Sequence, residues 1–343
     1  MGVVRIHVSN DRMSADIASA VLEEFFLFTD DSWVTILPHA IRIVACLGVA
    51  DVLAGGPMEV DELGRLTGVH ASSLYRLLRA LETLGVVREG ARRSFKLGPN
   101  GAKLCTGVPD TVRASVSHVD SQRSWVEAMR TLHSGLPAFD RSHGATFFDH
   151  KQDDPAAGAA FSARMRERGQ RVYGQLVELV DWSDSNTVLD IGGGDGFLLS
   201  RVLEATPGLR GVLFDRALDP AAPAPHERCV VVGGDFFHGL PSGADTHLLC
   251  SVLHDWDDGA AARILRGSRD ALAPGGRLLI VEMVVPDDGR WHPAKWSDLS
   301  MMVLTGGCER TTSEFESLLA CASYEMTSTA PIPGSWFSLL QAR

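Results

Sequence analysis

The stretch from Thr187 to Ala205, TVLDIGGGDGFLLSRVLEA, limits the fold more than any other part of the chain. A β-branched and aliphatic run meets Gly192-Gly193-Gly194-Asp195-Gly196, and an amphipathic helical pattern follows. Further short apolar runs come at 211–215, 229–232, 246–253 and 277–284, with helical spacing between them. Strands alternating with helices in this way predict a parallel sheet covered by helices. Residues 323–329 and 336–341 read as a late hairpin-like pair that closes the sheet.

The glycine turn says something about the ligand. Glycine lets backbone approach a bound molecule where a Cβ would collide. The turn falls one residue short of the dinucleotide pattern, whose last glycine would stand at Phe197. Asp190 precedes it and Asp195 lies inside it, and carboxylates repel a pyrophosphate but suit a cation. The next run ends on Asp215, where an acid can accept from two ribose hydroxyls. The third ends in Gly233-Gly234-Asp235-Phe236-Phe237, an acid and an aromatic suited to an adenine amine and ring. An adenosine joined to a cationic tail satisfies all three, and S-adenosylmethionine is such a molecule.

The first half reads differently. Ile17 to Phe28 repeats apolar residues at spacings of three and four. Ile36 to Leu53 is apolar on several faces and predicts a buried helix covered by more than one layer. Val60 starts a short helix that turns at Thr67-Gly68. Ser72 or Ser73 caps a second helix ending near Gly85, and two short strands flank Glu89-Gly90-Ala91. Helix-turn-helix plus a hairpin is a winged-helix module, which raises nucleic-acid binding. Its net charge over Glu59 to Lys103 is only +3, within a chain of formal charge −11. Phosphate binding needs a basic face, so packing or dimerisation is the better reading, and an anionic membrane surface is disfavoured too.

With 343 residues, 45% hydrophobic and 22% charged, the chain reads as a multidomain soluble protein. Its six cysteines include no C-x-x-C pair, which suits a reducing cytoplasm. His39, Arg42 and Asp51 interrupt the most apolar segment, so no membrane span is expected.

Leu253-His254-Asp255-Trp256-Asp257-Asp258 carries an imidazole and three carboxylates. Metal ligation would need further ligands from elsewhere, Glu282 and Glu309 among them. General-base catalysis needs less: an imidazole that accepts a proton near neutral pH, oriented by a carboxylate on its far nitrogen. Asp257 or Asp258 caps the helix that follows, and Asp255 braces the loop or meets substrate.

The ordered motifs VLDIGGGDG, LFD, GDFF, LHDWDD, PGGRLLIVEMVVP and GGCERTTSEFESLL resemble those of the cation-independent small-molecule O-methyltransferases, a branch of the class I S-adenosylmethionine-dependent methyltransferases. The likeness spans nearly the whole chain. It implies an α/β protein with three parts. These are a helical and winged-helix dimerisation domain at 1–107, a helical linker and pocket-forming region at 108–180, and a Rossmann-like catalytic domain at 181–343. By position it puts Gly192, Gly194, Asp215, Asp235, Phe236 and Ser251 at the cofactor. It makes His254 the general base, with Glu282, Glu309 and Asp255 around it. Phe161, Met165, Asp298, Met301 and Met302 would line the acceptor pocket. The implied enzyme is a cytoplasmic homodimer that methylates a hydroxyl of an aromatic natural-product-type molecule, without a metal. Plant members carry lysine at the position of Cys250 and Asn-Pro at that of Leu304-Thr305. Relatives on this fold also perform C-methylation, hydroxylation and decarboxylation.

Overall fold

The computed structural model describes residues 33–343 apart from 110, 118 and 217–223, so the predicted helix at Ile17 to Phe28 lies outside the described residues. The chain forms two compact units. One takes the residues up to Val119 with Ala163–Glu167, and the other takes Asp120–Ser162 with Arg168–Arg343.

In the first unit, the apolar segment predicted as one helix is two, α1 (Trp33–Cys46) and α2 (Val49–Ala54). Gly48 separates them at φ 68°, a left-handed conformation that costs glycine little and stops the first helix. Helices α3 (Val60–Thr67) and α4 (Ala71–Glu82) follow, α3 ending at Gly68 in the same conformation. The expected serine cap of α4 is absent: His70 holds the cap position, and its Nδ1 lies 3.1 Å from Ser73 Oγ. Strands β1 (Met58–Glu59), β2 (Val87–Glu89) and β3 (Ser94–Leu97) make a small antiparallel sheet in the order β1-β3-β2. Leu63, Leu74, Leu78, Leu81 and Phe95 close its core. The α4 arginine Arg79 lies over the Tyr75 ring, as does Arg93.

The second unit holds a seven-stranded sheet of β4 (Thr187–Ile191), β5 (Arg210–Asp215), β6 (Cys229–Gly233), β7 (Thr246–Cys250), β8 (Arg277–Met283), β9 (Met326–Pro331) and β10 (Phe337–Ala342). The spatial order is β6-β5-β4-β7-β8-β10-β9; β4 to β8 run parallel, while β10 is antiparallel to both β8 and β9. Leu189, Leu248, Leu249, Leu279 and Ile280 are fully buried, as continuous apolar runs in a sheet covered on both faces require. Its helices are α5 (Pro155–Val172, of which 163–167 belong to the first unit), α6 (Phe197–Ala205), α7 (Asp258–Ala271), α8 (Pro293–Leu304) and α9 (Thr312–Ala320). Strand order reverses between β4 and β7, and ligands of such sheets bind at the carboxyl ends of the strands beside that reversal. Among the described residues no helix is long and apolar enough to cross a membrane.

Candidate active site

Strand β4 ends at Ile191, and its carboxyl edge runs into a turn where Gly192, Gly194 and Gly196 all have φ between 59° and 75°. The turn leaves room only on one side. A Cβ at Gly193 would lie 2.5 Å from the Asp190 carboxylate, whereas one at Gly194 would meet nothing within 4 Å. Asp215, ending β5, accepts the Gly194 N–H at 2.9 Å and so braces the turn from the neighbouring strand. Asp235 accepts the Phe237 N–H at 2.8 Å, which makes it a turn-former as well as a candidate adenine contact. Phe236 packs against Phe237 and Trp256.

Asp190 is buried, and neither carboxylate oxygen has a hydrogen-bond partner. Burial, with help from Asp215 and Asp195, pushes its carboxyl up to about 7. A buried acid without a counter-charge fits a cationic ligand in the crevice, and the sulfonium and ammonium of S-adenosylmethionine are cations.

On the other side of the reversal, β7 is shorter than its apolar run predicts. It ends at Cys250 because Ser251 turns the chain at φ 55°. Tyr173 on the segment after α5 holds Ser251 there, the two hydroxyls lying 2.8 Å apart. His254 therefore stands in a single helical turn, Leu253–Asp255, rather than on the strand. Glu282, near the end of β8, fixes that turn: its Oε1 accepts the N–H groups of Val252 (2.9 Å), Leu253 (2.8 Å) and His254 (3.4 Å).

Glu282 Oε2 lies 2.9 Å from His254 Nδ1, an ion-pair contact not aligned as a hydrogen bond, and Glu309 Oε1 is 3.5 Å from the same nitrogen. Asp255 Oδ1 is 3.7 Å from Nε2. Burial alone lowers the pKa of His254, but Glu282, Asp255 and Glu309 outweigh it and raise the imidazole to about 9. Burial likewise acts to raise Glu282, yet the imidazole and its hydrogen bonds bring it below the ordinary value. Burial pushes Glu309, farther from the ring, up to about 7. Nδ1 thus faces the two glutamates and Nε2 faces Asp255. The ligand atoms of His254, Glu282 and Glu309 also lie within 4.8 Å of one another, a spacing that could hold a metal ion.

Glu309 accepts from Ser297 Oγ on α8 at 2.7 Å, and its N–H donates to Asp298 at 3.0 Å. Asp298, expected to line the acceptor pocket, thus braces Glu309. Phe161 and Met302 pack with Phe139, Phe147 and Phe148 in one apolar cluster, and Met301 is buried on α8. Met165 belongs to the first unit. Phe148 stacks on Trp256 at 5.7 Å between centroids with a 16° interplanar angle, which brings an aromatic wall to the loop that carries His254.

Sequence reasoning did not single out Tyr173, Ser297, Phe148 or Arg310. Arg310 is 1% exposed and donates to the carbonyls of Leu253 (3.0 Å) and Trp256 (2.9 Å) and to Asp258 (2.9 Å), tying the imidazole loop down from behind. A Cβ at Gly307 would run into the His254 carbonyl, so the glycine pair before Glu309 lets that segment press against the loop.

The O-methyltransferase domain family matches residues 125–325, and the O-methyltransferase dimerisation domain matches residues 34–106. The chain belongs to the O-methyltransferase family. It is 35% identical to a phenazine O-methyltransferase of Lysobacter antibioticus over 97% of this chain and 98% of that one. An O-methyltransferase of neocarzinostatin biosynthesis, solved with S-adenosylmethionine and 2-hydroxy-5-methyl naphthoic acid, superimposes with TM-score 0.78. It is 32% identical and covers 89% of this chain and 95% of its own. The aclacinomycin 10-hydroxylase of Streptomyces purpurascens is 34% identical over 89% and 87% of the two chains. The enzyme is S-adenosylmethionine-dependent, as its family is, and it carries its dimerisation domain in the first unit.

Proposed function

We propose that the enzyme methylates a hydroxyl of an aromatic small molecule in natural-product biosynthesis, with His254 as general base. The observation that carries this is the buried imidazole: Nδ1 is turned to Glu282, leaving Nε2 for an acceptor beside the Phe148–Trp256 wall. When bound, S-adenosylmethionine supplies an electrophilic methyl group on a sulfonium. Gly192, Gly194, Asp215, Asp235, Phe236 and Ser251 hold that cofactor in this reading, and Phe161, Met301 and Met302 shape the acceptor pocket.

A phenol, with a pKa near 10, attacks a sulfonium well only as its proton leaves. His254 Nε2 takes that proton, and Glu282 stabilises the imidazolium through Nδ1. At a pKa of about 9 the imidazole is already protonated in the ligand-free site at neutral pH. It must lose that proton first, and a like charge brought into the crevice lowers its pKa. Hence kcat/KM, which reports the free enzyme, should rise with pH through an apparent pKa near 9, and kcat should rise at lower pH.

His254→Ala should lower kcat about 10²–10⁴-fold while S-adenosylmethionine affinity by calorimetry stays within about twofold. Equal loss of both would remove the base role. No metal enters the proposal, so turnover should survive dialysis against a chelator; a loss restored by added metal would favour ligation by His254, Glu282 and Glu309. The likeness to a hydroxylase supports a second reading, in which the cofactor is bound but its methyl is not transferred. Label from S-adenosylmethionine carrying an isotopic methyl, found or not found on the product oxygen, separates the two. A homodimer in the cytoplasm completes the proposal; the first is supported by the dimerisation domain.

A further inference from the structure

Helix α5 approaches the glycine turn at Gly169, where a Cβ would sit 3.3 Å from the ring of Phe197, the first residue of α6. The residue before it, Arg168, lays its guanidinium over the Phe337 ring at 4.7 Å. Tyr173 meets the same ring edge-on at 6.1 Å and holds Ser251 at 2.8 Å. Arg168 thus reaches over the start of β10 beside Tyr173, one residue before the contact of α5 with the first residue of α6. Its Nη2 is shut off from solvent and has no hydrogen-bond partner. Arginine forks are built for carboxylates, and a buried charged donor left unmet is costly. The acids nearby, Glu282 and Glu309, feel its charge but do not bond it. The methionine tail of the cofactor carries an ammonium, which Asp190 suits, and a carboxylate, which no acid in the crevice can hold.

We propose that Arg168 binds the carboxylate of the cofactor's methionine tail, an inference that rests on the S-adenosylmethionine reading. The test is calorimetry with S-adenosylmethionine and with decarboxylated S-adenosylmethionine, which lacks only that carboxylate. The wild-type enzyme should bind the second more weakly, and binding of the first by the wild type checks the underlying reading separately. Arg168→Met should weaken S-adenosylmethionine about 10- to 100-fold, the range of a lost charge-assisted hydrogen bond, and leave the decarboxylated ligand within about twofold. Arg168→Lys, which keeps the charge but not the fork, should show the same selectivity with a smaller loss and serves if the Met variant does not fold. Unchanged affinity for S-adenosylmethionine in these variants, or an equal loss for both ligands, overturns the assignment.

Discussion

Two buried carboxylates, one on either side of the strand-order reversal, are handled in opposite ways. Asp190, before the glycine turn, has no hydrogen-bond partner, and burial lifts its carboxyl to about 7. Glu282, on the strand beside the imidazole loop, is at least as buried, yet its pKa falls because His254 and backbone N–H groups answer its charge. The charge of Glu282 is answered within the protein and that of Asp190 is not. A catalytic base must be held in one orientation before substrate arrives, whereas a site for a charged ligand gains when the ligand itself supplies the missing charge.

The most damaging way to break this contrast is Glu282→Ala. Removing one partner of a buried ion pair costs about 3–5 kcal/mol, and here it also frees three N–H groups. Chemical denaturation should show that loss, and kcat should fall with it as the imidazole loses its orientation. The pH dependence sharpens the point. The folded pKa of His254, about 9, lies above its unfolded value near 6.5. Its pairing therefore stabilises the fold fully below pH 6.5, and the stabilisation is lost as pH rises through 9. In Glu282→Gln that decline should shrink. A wild-type stability curve flat from pH 6.5 to 9 would contradict the compensated pair.

The second effect is on the uncompensated side. The Asp190 carboxyl has a folded pKa of about 7, above the unfolded 3.8, so its contribution is present below pH 3.8 and lost as pH rises through 7. Asp190→Asn keeps the shape without the charge. It should leave the ligand-free protein as stable or more stable at pH 8, yet weaken S-adenosylmethionine about tenfold. Destabilisation of the free protein by the Asn variant would mean that a partner already answers the charge.

How much of this contrast was legible in the sequence follows from the range of each interaction. The glycine turn, the acids around it and the parallel strands are local features: apolar runs mark strands buried on both faces, and three glycines mark left-handed backbone. The imidazole was visible as a residue, but its setting was not. Ser251 ends β7 three residues before the apolar run does, because a left-handed residue leaves the ladder and Glu282 takes the next N–H groups. Glu282 lies 28 residues from His254, Arg310 lies 57 from Leu253 and Tyr173 lies 78 from Ser251. No periodicity or spacing predicts such pairs, and a lone arginine reads as exposed until a loop wraps it. The place of Glu282 and Glu309 around a general base came from the family likeness, whereas Asp257 as helix cap followed from local rules.

That cap gives the smallest and most discriminating prediction. Asp257 accepts the Ala260 N–H at 2.8 Å at the start of α7, three residues after His254. Losing such a cap costs about 1 kcal/mol. If the imidazole is positioned by its buried partners, Asp257→Ala should lower stability by about that amount and leave kcat within about twofold. Arg310 and Glu282 hold the loop backbone at Leu253 and Trp256, upstream of the cap, so fraying of the first turn of α7 stops before it reaches His254. A drop in kcat as large as that of Glu282→Ala would show that the helix start, rather than the buried carboxylate, sets the imidazole, and the division between the two sides of the crevice would no longer hold.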